Sequence, residues 1–136
     1  MVSSSPIVTK QQVDRQEWLV VLPDNKGVLP KRMELRPAHR KAVEPDERSG
    51  FFKVGGGILE DKLEEGEPLR IAGSFLIACA KSSDEVKERL QKDVHFEHGI
   101  WDWDKLQIYP VRDRSRLGSL SPSLMQHKVA AALFYF

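Results

Sequence analysis

The stretch that decides the fold is LRIAGSFLIACAKSSDEVKERL, residues 69–90. Its first part, up to Ala80, is an apolar run with the length and composition of a buried strand. Residues typical of a helix start follow: Ser82 can accept hydrogen bonds from the free N–H groups of a first turn, and Glu85 completes a capping box. After the cap, apolar residues recur four apart among charged ones, as on an amphipathic helix. The stretch therefore predicts a strand that leads directly into a surface helix.

The segments on either side extend this pair into an order of six elements. The four elements added to the strand and helix of residues 69–90 are a strand at 18–22, a helix at 30–43, a second strand from 51 and a last strand at 105–111. Pro37 predicts a kink in the first helix or a helix that starts there. The glycines at 55–57 interrupt the second strand pattern and predict a bulge or a place where another group closely approaches the backbone. The order β-α-β-β-α-β indicates an α+β, ferredoxin-like fold, which is a four-stranded antiparallel sheet with both helices on one face.

The chain of 136 residues is long enough for one domain with some tail to spare. We assign residues 16–112 to that domain, residues 1–15 to a flexible N-terminal segment and residues 113–136 to a C-terminal extension. The extension ends in an apolar run, Val129 to Phe136, which we expect to pack on its own domain or on a partner subunit. No function is assigned to it.

Composition and charge exclude several classes of function. The chain has 21 Lys and Arg residues against 20 Asp and Glu, so no excess of positive charge favours nucleic acid or an anionic membrane. No apolar stretch approaches the roughly 20 residues that span a bilayer, and the N-terminus lacks the features of a signal peptide. The single cysteine, Cys79, excludes a disulfide within the chain and favours a reducing, cytoplasmic location. Because it lies in an apolar run, we expect a buried and inert thiol.

Several local motifs in this order of elements resemble the YCII-related family over roughly residues 16–112. They are Arg36-x-x-His39 on the first helix, Gly56-Gly57 in the second strand, Gly73-Ser74 in the third, and Asp93 directly after the second helix. The resemblance implies the dimeric α+β barrel form of the fold, in which two sheets meet across a two-fold axis of a homodimer. Family members commonly have Asp-Pro where this chain has Asp93-Val94, a departure that bears on how the carboxylate is aimed.

The resemblance also implies a catalytic pair, His39 and Asp93. A neutral imidazole, with an unperturbed pKa of about 6.5, can take a proton from a carbon or hydroxyl next to a carbonyl. Asp93 would fix the tautomer and stabilise the imidazolium; at the C-terminal end of a helix its charge would also favour a cationic partner. We expect Arg36 and Ser74 to bind the carboxylate or developing enolate of the substrate, and no cofactor to be needed.

The function predicted is that of a small, cofactor-independent acid–base enzyme, a lyase, isomerase, dehydrohalogenase or decarboxylase. Its substrate would be an unsaturated carboxylic acid or a polyketide-like small molecule; some members of the family remove chloride from a chlorinated hydroxymuconate. One alternative is a non-catalytic dimer that binds a small ligand or is purely structural. Another is a cofactor-free oxygenase of aromatic polyketides, which would need a deep apolar cavity instead of a polar site lined by arginine.

A metal site is a further alternative, although we expect no bound metal. The stretch from Asp93 to His98 contains several possible metal ligands, including His95 and His98. The side chains of these two histidines would be adjacent only if the stretch is helical. Three aromatic residues crowd the same region and are expected in the core or a dimer interface, with an apolar ligand pocket as the alternative: Phe96, Trp101 and Trp103.

Overall fold

Four strands and four helices make up residues 5–114, the part of the chain that the computed structural model describes. In chain order they are α1 (Lys10–Asp14), β1 (Glu17–Pro23), α2 (Leu29–Arg48), β2 (Phe52–Leu59), β3 (Ile71–Cys79), α3 (Ser83–Leu90), α4 (Val94–Glu97) and β4 (Gln107–Val111), with a 3-10 turn at Trp103–Lys105. Most of the predicted C-terminal extension, including its apolar end, lies outside the described residues. No helix within residues 5–114 has the length and apolar composition required to cross a membrane.

The four strands form one antiparallel sheet in the order β2-β3-β1-β4. With α2 between β1 and β2, and α3 between β3 and β4, the chain has the predicted β-α-β-β-α-β order. The ferredoxin-like α+β fold is therefore confirmed. Two short helices, α1 and α4, were not predicted; α1 begins after Thr9, whose side chain caps it, and it buries no residue.

Both long helices pack on the same face of the sheet. Alternate strand residues point to that face, so that Val20 pairs with Leu76 across β1 and β3 in the register of the sheet. The core cluster combines these strand residues with residues of both helices: Val20, Leu22, Leu76, Ala78, Leu35, Val43, Val86 and Leu90. Burial of each valine or leucine in this cluster contributes roughly 1.5–3 kcal/mol, which fixes α2 and α3 against the sheet.

The opposite face of the sheet carries apolar residues that are only half buried. Leu19 pairs with Ile77, and Val21 with Phe75, so these four side chains share that face. Gly56 lies beneath the Phe75 ring, and a Cβ atom at this position would lie 2.6 Å from Cε1 of the ring, which would then have to move. An apolar surface of this kind is suited to contact with another protein surface.

The first helix is longer than predicted and contains the proline that was expected to kink or start it. α2 runs from Leu29 to Arg48 with Pro30 in its first turn and with Pro37 and Pro45 inside it. A proline inside a helix removes one N–H donor, which the packing of buried residues such as Leu35 compensates. As a result Arg32 and His39, seven residues apart, lie on one face of a single helix.

The glycines at 55–57 do not interrupt the second strand or form a bulge there, whereas the close approach that they also predict occurs at Gly56, beneath the Phe75 ring. They pair in continuous register with residues 74–76 of β3, and the register shifts occur only near the two ends of β2. The predicted helix start at Ser82 is present, and Ser82 Oγ accepts a hydrogen bond from the backbone of Glu85. The return bond of the capping box is replaced, because the Glu85 carboxylate accepts from the N–H of Lys81 at 2.9 Å.

The remaining expectations concern Cys79 and the aromatic residues. Cys79 is half buried on the helix-free face of the sheet, and burial raises the pKa of its thiol, which leaves it protonated and unreactive at neutral pH. Phe96 and Trp103 contact each other edge to face at 4.9 Å between ring centres and pack against the core. Trp101 is buried at 3% exposure and belongs to the polar cluster described next.

Candidate functional site

A buried polar cluster lies where α2, β3 and the start of α4 meet. Its side chains, each at most 7% exposed, are Asp24, Arg32, His39, Ser74, Asp93, His95 and Trp101. Buried charged and polar groups are costly unless they are paired, so a set of this size in a small domain points to function. We call these seven residues the polar cluster.

The structure brings His39 and Asp93 together. The Nδ1 atom of His39 lies 2.8 Å from Oδ2 and 2.9 Å from Oδ1 of Asp93, within hydrogen-bond distance of both oxygens. His39 has no exposed surface, and its second ring nitrogen, Nε2, is also buried. A carboxylate at Nδ1 places the ring proton there, so Nε2 is the nitrogen that would exchange a proton with a substrate.

Asp93 is positioned by the start of α4 and not by the end of α3. It is the N-cap of α4 and accepts a hydrogen bond from the backbone N–H of His95 at 2.8 Å. Its charge therefore lies at the N-terminal end of a helix, where a negative charge is favourable. The expectation that the charge lies at the C-terminal end of a helix, where it would be unfavourable, is corrected. Val94 occupies the first helical position, where proline is also favoured, so the departure from Asp-Pro leaves the cap intact.

The carboxylate of Asp93 is held in its charged form. Burial alone would raise the pKa of Asp93, but hydrogen bonds from His39 and His95 outweigh burial and hold the pKa well below its usual range. A charged Asp93 can accept a hydrogen bond from the Nδ1–H group of His39. It can also stabilise the imidazolium that forms when His39 takes up a second proton. This is the arrangement that general acid–base chemistry requires.

A second histidine, His95, lies against the first. The ring centres of His39 and His95 are 4.1 Å apart, and the ring of Trp101 contacts both, at 5.4 Å from His95 and 6.4 Å from His39. Nε2 of His95 is 3.0 Å from Nη1 of Arg32, while Nδ1 is 3.3 Å from Oδ1 of Asp93 without hydrogen-bond geometry. Burial, with the positive charge of Arg32, lowers the pKa of His95 to about 4, so this ring is neutral at pH 7.

Arg32 connects the segments that build the cluster. Its Nε atom donates to Oδ2 of Asp24 at 2.8 Å, Nη1 faces His95, and Nη2 donates to the hydroxyl of Ser74. Trp101 donates from Nε1 to the same Ser74 oxygen at 3.1 Å. Arg32 was not among the predicted site residues, although its spacing from Arg36 and His39 on a helix would have placed it on their face.

The other residues singled out in the sequence are distributed as follows. Arg36 is half buried on α2, one turn from both Arg32 and His39. Ser74 lies inside the cluster, fully buried. His98 is exposed, with Nδ1 3.0 Å from the carbonyl oxygen of Val94, and it is not part of the cluster. The roles predicted for these residues in substrate binding stay predictions.

Within residues 5–114, one group of side chains could hold a metal ion: His39, Asp93 and His95, whose ligand atoms lie within 4.8 Å of one another. The arrangement does not fit one. The lone pair at Nε2 of His95 faces a guanidinium donor, so the ring proton of the neutral histidine is on Nδ1, the atom directed at the others. The fixed positive charge of Arg32 also lies 3.0 Å from this ring, where it would repel a cation.

Two surface clefts of the described region lie away from the cluster. One is formed by the loop around residues 59–70, and the other lies between the N-terminal segment and β4. Neither cleft is lined by a residue of the polar cluster. His39 has no exposed surface in this conformation, so a ligand would reach it only after a movement of its surroundings.

The family of YCII-related domains matches residues 17–111. Fusaric acid biosynthesis protein 2 of Gibberella fujikuroi is 33% identical over 99 residues, covering 73% of this chain and 95% of that protein. Aspercryptin biosynthesis cluster protein B of Emericella nidulans is 32% identical over 96 residues, covering 70% of this chain and 62% of that protein.

Among solved structures, the chain is similar to a 5-chloro-2-hydroxyhydroquinone dehydrochlorinase from Burkholderia phenoliruptrix, in complex with 2,5-dihydroxybenzoquinone. The TM-score is 0.60 at 26% identity, and the match covers 71% of this chain and 93% of the other. By their names, the relatives in both comparisons act in the metabolism of small molecules.

Proposed function

This chain belongs to the family of YCII-related domains, and we propose that it is a small acid–base enzyme that needs no cofactor. The substrate class we propose is an unsaturated carboxylic acid or a polyketide-like hydroxylated ring. The reaction class is elimination, isomerisation or decarboxylation, with His39 as acid and base. Relatives named for biosynthetic clusters and a dehydrochlorinase of the same fold support a catalytic role in small-molecule metabolism.

The observation that carries this proposal is the buried contact of 2.8 Å between His39 and Asp93. Burying a charged carboxylate costs free energy that a structural role at this position does not require, because packed apolar residues would stabilise the domain at least as well. An oriented imidazole next to a charged carboxylate instead suits proton transfer near neutral pH.

In the proposed reaction, Nε2 of neutral His39 removes a proton from a carbon or hydroxyl next to a carbonyl or enol. Asp93 stabilises the imidazolium through the Nδ1 proton. In an elimination such as loss of HCl from a chlorinated ring, the electron pair released by proton removal forms a new C–C or C–O π bond. The C–Cl bond breaks, and its electron pair leaves with chloride. The imidazolium then returns its proton to solvent.

Arg36 and Ser74 are proposed to hold the substrate. Ser74 Oγ accepts hydrogen bonds from Arg32 and Trp101, which uses its two acceptor positions and leaves its hydroxyl hydrogen to donate to a substrate oxygen. Arg36, one turn from His39 on α2, supplies positive charge for a carboxylate or enolate. These polar side chains favour acid–base chemistry over the oxygenase alternative, which needs an apolar cavity.

We also propose that the enzyme is a homodimer. The helix-free face of the sheet carries Leu19, Val21, Phe75 and Ile77, all half buried in the single chain. Contact with the same face of a second copy would remove this apolar surface from water and close the two sheets into a barrel. The cytoplasmic location rests on the single cysteine and stays a prediction.

The test is turnover by the wild type and by His39→Ala. Chloride release from 5-chloro-2-hydroxyhydroquinone is measured first, followed by loss of ultraviolet absorbance from a panel of unsaturated carboxylic acids. We expect turnover in the wild type and a loss of at least about 100-fold in His39→Ala, with the fold retained. His98→Ala changes an exposed histidine and is the matched control.

Normal turnover by His39→Ala would show that the proposal is wrong. Assays with and without dioxygen separate the alternatives, because an oxygenase consumes O₂ and the proposed enzyme does not. If no compound of the panel is turned over but one binds, the non-catalytic binding domain becomes the better account.

A further inference from the structure

We propose that Arg32 and His95 are positioning residues for the pair His39–Asp93, an inference that rests on the proposed function. Arg32 selects which nitrogen of His95 carries the proton, and His95 in turn holds the Asp93 carboxylate in place. Neither residue needs to touch a substrate. Together they extend the catalytic pair into a relay of buried side chains that begins at the end of β1.

The first step is the tautomer of His95. A guanidinium has only donors, so the contact of 3.0 Å between Nη1 of Arg32 and Nε2 of His95 requires a lone pair on Nε2. A neutral imidazole has one lone pair and one N–H, and the proton of His95 must then be on Nδ1. The ring nitrogen near Asp93 is thereby a donor and not a second lone pair that would repel the carboxylate.

The second step is how the contacts of His95 fix the position of the Asp93 carboxylate. The backbone N–H of His95 donates to Oδ1 of Asp93 at 2.8 Å, and the ring Nδ1 lies 3.3 Å from the same oxygen. The ring contact lacks hydrogen-bond geometry, so its contribution is electrostatic. The carboxylate fixed in this way presents both oxygens to Nδ1 of His39, Oδ1 at 2.9 Å and Oδ2 at 2.8 Å.

The third step is what keeps Arg32 itself in place. Its Nε atom is bound to Asp24 at 2.8 Å and Nη2 to Ser74, so all three nitrogens of the guanidinium have different partners. A planar fork with three partners has one orientation, unlike the single rotatable ammonium of lysine. The His95 ring also contacts the rings of His39 and Trp101, which contact each other, and this packing limits its freedom to turn.

Nuclear magnetic resonance of ¹⁵N-labelled histidines tests this without a substrate. At pH 7, long-range ¹H–¹⁵N spectra of the full chain are expected to show His95 as one neutral tautomer with its proton on Nδ1. The Nδ1 proton of His39 is expected downfield, as for a proton shared with a carboxylate. A wild-type spectrum with the His95 proton on Nε2 would overturn the proposal.

Arg32→Lys keeps the buried charge near Asp24 but removes the fork, and Arg48→Lys on the exposed part of α2 is its control. We expect a mixture of His95 tautomers and a shifted or broadened His39 proton in Arg32→Lys, and no change in Arg48→Lys. If Arg32→Lys does not fold, the double variant Asp24→Asn/Arg32→Gln, which leaves neither charge alone, replaces it.

An unchanged His95 tautomer in the folded variant would show that Arg32 does not select it. A changed tautomer with an unchanged His39 signal would show that His95 does not position the pair. With an accepted substrate, the variant is expected to lose about 100-fold in kcat with KM nearly unchanged, as a small misplacement of a catalytic group does. If His39→Ala retains turnover, the proposed function fails, while the tautomer experiment still reports on Arg32.

Discussion

Replacing His95 with glutamine is expected to remove a large part of the acid sensitivity of the fold. Burial and neighbouring positive charge lower the pKa of His95 to about 4, against about 6.5 in an unfolded chain. At pH values between these two pKa values, His95 binds a proton in the unfolded chain and stays neutral in the folded chain. The stabilising contribution is therefore complete above pH 6.5 and is lost as the pH falls towards 4.

The magnitude follows from the two pKa values. A pH of 5 lies about 1.5 units below the pKa of His95 in the unfolded chain. At about 1.4 kcal/mol per unit, the free energy of unfolding is lower by about 2 kcal/mol at this pH. The figure needs no reduction for solvent screening because the side chain is 1% exposed. With an m-value of about 2 kcal/mol per molar, the midpoint of urea unfolding should move by about 1 M.

The assay is urea unfolding followed by tryptophan fluorescence at pH 7.5 and pH 5.0, at one protein concentration. His95→Gln keeps an acceptor for Arg32 but has no group that titrates in this range. Burial raises the pKa of Glu47 to about 7, so this residue makes the fold more stable as the pH falls through the same interval. Because Glu47 is present in both proteins, its effect cancels in the comparison. His98→Gln, which removes an exposed histidine, should behave as the wild type. An equal loss of stability in wild type and His95→Gln would refute the reasoning.

Three further changes test the site, the sheet and the dimer. Asp93→Asn keeps the cap of α4 but removes the charge that stabilises an imidazolium, so turnover should fall by about 10²–10⁴-fold while circular dichroism stays unchanged. Gly56→Ala places a Cβ atom 2.6 Å from the Phe75 ring and should cost about 1–3 kcal/mol in urea unfolding; an unchanged midpoint would contradict the close approach. Ile77→Glu puts a charge on the helix-free face, and light scattering should find the wild type as a dimer and this variant as a monomer. A monomeric wild type would contradict the dimer.

Local pattern was sufficient to predict the order of elements. The run up to Ala80 and the cap at Ser82 lie within one stretch of chain, so propensity and capping determine the strand and the helix there. The pattern was insufficient at Pro37 and at Gly55–Gly57, where tertiary packing and strand pairing override the local preference. Boundaries set by such packing cannot be found in a local window.

The candidate pair was predicted because its residue types and its family resemblance are visible in the chain, whereas its surroundings were not. His39 and Asp93 are 54 residues apart, Arg32 is 42 residues from Ser74 and 63 from His95. The cap that aims Asp93 belongs to α4, a helix of four residues with too little periodicity to predict.

The sequence by itself therefore determined the class of fold, the near-balance of charge and the residues able to carry proton chemistry, because these depend on composition and on neighbours along the chain. Only the tertiary structure decided which of these residues are buried together, which nitrogen of His95 bears the proton, and why a metal ion does not fit between them. Burial and hydrogen-bond partners arise from contacts between distant segments, and it is these contacts that set the charge and orientation of each group.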